Sequence, residues 1–354
     1  MFPPEDPNAI DWKKLFSIRN IVIWIVIIVI GVYWATRPNF EQYRFKGKTM
    51  GTTYLVKYWA DTEIAPRRIN TLVDRKLKQI NNEISTWDKT SKIVEFNNTN
   101  KTGWFSVNKF FAQMVMMATN ICYQTNGRFD ITIKPLIDVW GFDVDGRVVK
   151  APTNKQLKGV EKVIGCDKIA TNISKKTIKK NSPNVSINLS AIAKGGAVDE
   201  IGKLMEAEGI ENYLVEIGGE IRVRGKKIDG TNWLIGVEQP VRSSKKVNII
   251  LKLENESMAT SGDYKNYFEE NGVRYSHIID PKTKMPIKHN LASVTVVTSS
   301  TAMADALATG LFVMGEKKAL KFATKNNLKV YMIVRRDGVF ETIASPAWEK
   351  HFGN

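Results

Sequence analysis

Ala292-Ser293-Val294-Thr295-Val296-Val297, followed by Thr301-Ala302-Met303-Ala304-Asp305-Ala306-Leu307-Ala308-Thr309, is the stretch from which the fold is read. β-Branched residues dominate the first block, which reads as a strand. The second is apolar and Ala-rich, and it reads as a helix over 301–313. A second helix is expected over 317–325 and a final strand over 329–334. Working back toward the N-terminus, strands are expected over 213–217, 233–238 and 247–253, and a helix over 191–208 closed by Gly209. Strands and helices mix without a regular βαβ rhythm, and there is no internal repeat. That pattern argues an α+β fold, one domain of mixed or antiparallel sheets with packed helices, rather than a doubly wound sheet.

Within the 301–313 helix, Asp305 and Thr309 stand four residues apart, so both oxygens project from one face. A carboxylate and a hydroxyl on one apolar face suit Mg²⁺, which takes few protein oxygens and completes its shell with water or phosphate. Upstream lie Ser261-Gly262-Asp263-Tyr264 and Ser276-His277-Ile278-Ile279-Asp280-Pro281. His277 is three residues from Asp280, and a turn holding both would present an acid–base pair. A lone histidine is equally at home in a structural role. The combination points to cutting or moving a phosphate-containing ligand.

The chain has 52 basic and 36 acidic residues, a formal charge of +16. Such a surplus favours anionic ligands or a lipid surface. The basic stretches, such as Lys175-Lys176 and Lys179-Lys180, lack interleaved aromatic residues, and no nucleic-acid-binding signature occurs. Nucleic acid is therefore not an expected partner. Two cysteines, Cys122 and Cys166, fit no metal or redox spacing. They can pair in an oxidising compartment or remain small buried hydrophobes, and both alternatives stand.

Residues 21–35 carry no charge and are rich in Ile, Val and Trp, with Lys13, Lys14, Arg19 and Arg37 flanking them. The stretch reads as a single-pass anchor over 20–36, behind a polar segment over 1–19. Tyr33 and Trp34 stand where a cleavable signal would carry small residues. A polar tether is expected over 37–46 and the catalytic domain over 47–354. Inside that domain a strand is expected over 49–59, and a helix opening at Ala65-Pro66 with Ile69, Val73, Leu77, Ile80 and Ile84 on one face. Further helices are expected over 109–125, stopped at Asn126-Gly127, and over 152–164, with short strands over 168–170, 177–179 and 185–189.

Ser190-Ala191-Ile192-Ala193-Lys194-Gly195-Gly196 lies where a strand passes into a helix, a junction whose amides can hold an anion. Gly218-Gly219-Glu220 permits a tight turn, and Met50-Gly51-Thr52-Thr53 the start of a strand. Phe129-Asp130-Ile131-Thr132 and Trp140-Gly141-Phe142 supply rings for a planar ligand or for a core. Each motif alone has a plain structural reading.

In this order, however, the blocks resemble the ApbE family, the FAD:protein FMN transferases, over roughly residues 47–345. The resemblance implies a domain that binds FAD and Mg²⁺ and transfers the FMN half to a Thr or Ser of an acceptor flavoprotein, releasing AMP. It implies Asp305, Thr309 and the Ala191 carbonyl as Mg²⁺ ligands. Met50, Trp87, Phe129, Asp130, Asn188, Lys194, Gly218, Gly219, Ser261 and Ile279 would line the FAD site. Lys194 would add electrostatic support, and His277 would act as base with Asp280 orienting it. The resemblance also suggests an acceptor in a membrane redox pump, and a catalytic domain on the periplasmic side of the inner membrane. Trp87 replaces a common tyrosine, Asn188 a common aspartate and Gly196 a common aromatic residue, which predicts looser packing at 196. FAD hydrolysis to FMN and AMP, or storage of intact flavin, would use the same pocket.

Overall fold

The computed structural model describes residues 18–35, 40–61, 65–141, 151–241, 246–262, 267–270, 273–276 and 278–353. Its frame is an eight-stranded sheet whose spatial order equals its chain order. The strands are Phe40–Thr49, Thr52–Asp61, Asn212–Ile217, Glu220–Arg224, Ser257–Gly262, Leu291–Thr298, Lys329–Arg336 and Val339–Ala344. Every neighbouring pair is antiparallel. The α+β expectation holds, with an antiparallel main sheet.

Alternation along the strands sends side chains to two separate cores. Tyr213, Val215 and Ile217 join Val56, Val294, Val296, Val330 and Met332 on the face covered by helices. Leu214, Val223, Met258, Tyr331 and Ile333 face the other way, toward a hairpin of Trp233–Glu238 and Val247–Leu253 and toward Trp348 of the last helix. The helix Pro66–Ile84 buries all five of its periodic apolar residues. Lys109–Gln124 is capped by Asn108, whose side chain accepts from Phe111 N at 2.8 Å, and stops where Asn126 and Gly127 turn left-handed. Cys122, at its end, is disulfide-bonded to Cys166.

Four expectations are corrected. The strand expected over 49–59 is a hairpin, Phe40–Thr49 with Thr52–Asp61, joined by Met50-Gly51 with φ 50° and 72°. Two positive φ angles make the turn that matches strand twist. Residues 40–46, expected as tether, therefore belong to the sheet; their charges disguise Tyr43 and Phe45, whose rings pack on Tyr58 and Tyr54. Residues 185–189 form no strand. Asn97 brackets Ile187 with two side-chain hydrogen bonds, and Asn188 N donates to Ile131 O at 2.7 Å, so this segment's polar groups are met from outside a ladder. The strand Lys329–Arg336 is not the last element: Val339–Ala344 and the helix Pro346–Phe352 follow.

The apolar N-terminal stretch lies in the helix Ile18–Ala35, and its large side chains from Ile21 to Val32 stand exposed. Among the described residues no helix is long and apolar enough to cross a membrane.

Two helices position the site, Ser190–Ala207 and Thr301–Met314, crossing closely at Gly195. A Cβ there would collide with the Thr301 carbonyl, so only glycine permits the approach. Packing at Gly196 is not loose: a Cβ would stand 2.5 Å from Met114 Sδ and 3.3 Å from the Phe110 ring. Asp199 caps the second helix, accepting from Thr301 N at 2.9 Å, Ala302 N at 3.0 Å and Ser300 Oγ at 2.8 Å. The two amides are orphan donors of a helix start, and a carboxylate also complements its dipole.

Candidate active site

A cavity of about 450 Å³ opens where the start of the Ser190 helix meets the Thr301 helix, the strand Ser257–Gly262 and the segment 128–137. Phe129, Asp130, Asn188, Ala191, Lys194, Gly218, Ser261, Ile279, Asp305 and Thr309, all expected from the sequence, line it. Asp305 and Thr309 indeed share one face. The Thr309 hydroxyl lies 3.0 Å from Ser261 Oγ, and Asp305 Oδ2 accepts from Gly195 N at 3.0 Å. That amide is the donor a regular helix turns toward the carbonyl of Ala191, four residues back.

Around these oxygens is a buried ionic cluster. Lys194 Nζ lies 2.5 Å from Glu220 Oε1. Burial works against the Lys194 charge, but the Asp305 and Glu220 carboxylates outweigh it and hold the ammonium above its ordinary range. Glu220 is pushed up by burial and by Asp305, against the pull of Lys194. Asp305 is likewise pushed up by burial, with Lys194 and the Gly195 amide opposing. Two carboxylates thus surround one cation, and Glu220 Oε2 is buried without a hydrogen-bond partner. Buried carboxyl oxygens whose ionised forms are disfavoured for want of positive charge fit a divalent cation, which would supply it.

The remaining walls are set by local turns. Asp130 caps the short turn Ile131–Ile133, accepting from Thr132 N at 2.8 Å and Thr132 Oγ1 at 2.7 Å; burial, the largest influence, pushes its carboxyl up against these bonds. Asn188 Oδ1 accepts from Ser190 N at 2.8 Å, so the amide does locally what an aspartate would. Ile131, Ile133 and Ile137 give one apolar wall.

The structure does not bring every expected residue to this cavity. Trp87 is 71% exposed and Met50 forms the hairpin turn; neither lines it. Gly219 faces a neighbouring cavity. Asp280 is buried, ion-paired with Arg128 and accepting from Lys282 N at 2.9 Å. His277 lies outside the described residues, as do Asp263, Tyr264 and Phe142.

Glu220 and Arg128 were missed as site residues. Glu220 closes the quoted Gly218-Gly219-Glu220 block, but a glutamate opening a strand reads as solvated, and its partner is 26 residues away.

A helix N-terminus beside a lysine, with a buried hard-oxygen pair opposite and an apolar wall, defines an enzyme site for a phosphate-bearing ligand. Residues 50–332 match the ApbE family. The chain is 44% identical over 339 residues to an FAD:protein FMN transferase of Haemophilus influenzae, covering 94% of this chain and 98% of that protein. A Vibrio cholerae protein of the same description is 40% identical over 310 residues, covering 87% and 92%. Among solved structures, the flavin transferase ApbE of Vibrio cholerae superposes with a TM-score of 0.80 at 38% identity, covering 88% of this chain and all 100% of that one. The apo flavinyl transferase ApbE of Pseudomonas stutzeri gives 0.82 at 33% identity, covering 89% and 98%. The chain belongs to the ApbE family.

Proposed function

We propose that this chain transfers the FMN moiety of FAD to a Thr or Ser hydroxyl of an acceptor flavoprotein and releases AMP. The observation that carries the reading is the cluster of Lys194, Glu220 and Asp305 at the mouth of the Ser190 helix, beside an apolar wall. The amides of that helix start and the Lys194 ammonium bind the pyrophosphate. Ile131, Ile133 and Ile137 cover a flat ring and exclude water. Asp305, Thr309 and the Ala191 carbonyl would hold Mg²⁺, which when bound neutralises charge gathering on the phosphate oxygens.

In the transfer step the acceptor hydroxyl oxygen bonds to the FMN phosphorus and the bridging P–O bond to AMP breaks. The hydroxyl proton passes to a base, and His277 is the candidate. Glu220 fixes Lys194 so that its charge stays aimed at the phosphates.

The same reading places the domain at a membrane surface outside the cytoplasm, with an acceptor on that surface. The Cys122–Cys166 bond favours an oxidising compartment. The helix Ile18–Ala35 is about 27 Å long at 1.5 Å per residue, somewhat short of a ~30 Å hydrocarbon core.

The test is incubation with FAD, Mg²⁺ and a Thr-bearing acceptor, followed by mass spectrometry. An acceptor peptide heavier by one FMN, with AMP released, is expected. Free FMN with AMP would mark a pyrophosphatase, and intact FAD a carrier; either would overturn the transfer reading.

A further inference from the structure

A second cavity, of about 440 Å³, adjoins the first and shares Gly218 and Thr260 with it. Gly218 is the partition. A Cβ built there would stand 2.8 Å from Thr52 Cγ2 on one side and 3.4 Å from Lys194 Cδ on the other. The two cavities therefore meet at a thin boundary, where Thr52 and Lys194 pack over a residue with no side chain.

The chemistry of this cavity differs from that of its neighbour. Its charged lining side chains among the described residues are two carboxylates, Glu216 and Glu238, although the chain as a whole carries +16. An anionic nucleotide is disfavoured there. Gly219 lines it with open space where a Cβ would stand, a position that lets another backbone approach closely.

One wall is the strand Trp233–Glu238. Consecutive residues Gly236, Val237 and Glu238 all touch the cavity, though alternate side chains point to opposite faces. The cavity thus runs along the strand's edge. The strand pairs only with Val247–Leu253, so its other edge has no ladder partner among the described residues. An unpaired edge is a template for an added strand.

We propose that the acceptor polypeptide binds in this second cavity as an extended segment, adding a strand to the free edge of Trp233–Glu238. Its Thr or Ser hydroxyl meets the FMN phosphorus at the boundary that Gly218 and Thr260 form between the two cavities. FAD and acceptor then enter from different sides of one partition, and the second site selects the protein substrate. This inference rests on the transfer reading above.

The experiment uses the full chain with FAD, Mg²⁺ and a recombinant flavoprotein subunit that carries an acceptor Thr. Thr53→Trp and Glu238→Trp each place a ring in the cavity from an exposed position outside the catalytic cluster. Both should raise the KM for the acceptor about tenfold or more, leaving FAD affinity unchanged. Hydrogen exchange should show amides of 233–238 gaining protection when the acceptor is added. Wild-type KM values in both variants, or no protection along that strand, would overturn the proposal while the transfer reading stood. A wild-type chain that labels no acceptor would remove both.

Discussion

At the scale of the residue, the site concentrates charge that the fold has buried, and two consequences can be measured. Asp305→Asn keeps an acceptor for the Gly195 amide but removes the carboxylate whose burial is the dominant influence on its titration. Transfer should fall by more than about a hundredfold while the melting temperature holds or rises, because an amide costs less to bury than an ion. Transfer within about threefold of wild type would refute the metal assignment. Away from the site, Glu206 is pushed up by burial but held lower still by hydrogen bonds from Tyr213, Arg224 and Arg222, so its carboxyl sits below its ordinary 4.5. The unfolded chain then takes up the proton first as pH falls. Glu206 accordingly stabilises the fold above about pH 4.5, and that contribution disappears as pH drops through the lower folded value. Glu206→Gln should flatten the acid limb; urea midpoints at about pH 7 and about pH 4 would differ less than in wild type, and an unchanged difference would count against it.

At the scale of the element, the two crossing helices hold most of what matters. Gly195→Ala should cost about 1–3 kcal/mol through overpacking against Thr301 and should weaken FAD binding, since Lys194 and Asp305 sit on opposite sides of the crossing. A denaturant titration and flavin quenching would check both, and an unaltered midpoint would mean that the helices part freely. These helices were legible in the sequence because their Ala-rich apolar runs are long and because Gly209 marks the end of the first. The pairing of Asp305 with Thr309 followed from helical spacing alone. The strand Phe40–Thr49 was not legible, because its alternating aromatic residues are interrupted by Arg and Lys that resemble a tether. Nor was Glu220: its burial depends on Lys194 and Asp305, which reach it through sheet and helix packing and leave no local pattern. Segment 185–189 looked like a strand for its Val and Ile, but Asn97 supplies the bonds that a neighbouring strand would have made.

At the scale of the whole molecule, the covalent link between Cys122 and Cys166 closes a loop across a sequence separation of 44. Loop-closure entropy puts its contribution at about 4 kcal/mol. The double variant Cys122→Ser with Cys166→Ser should unfold at a clearly lower denaturant concentration, and an unshifted midpoint would mean that the folded chain is strained by the bond. The meander has one long detour: the adjacent strands Thr52–Asp61 and Asn212–Ile217 are separated by the segment that brings Asp130, Asn188 and Lys194. Ser261, Asp305 and Thr309 all arrive after the detour is closed. A nascent chain emerging from the ribosome therefore owns the lysine long before the aspartate. Until the late helix docks, the cavity lacks one whole wall, so under the proposed function FAD cleavage would wait for synthesis to pass residue 309.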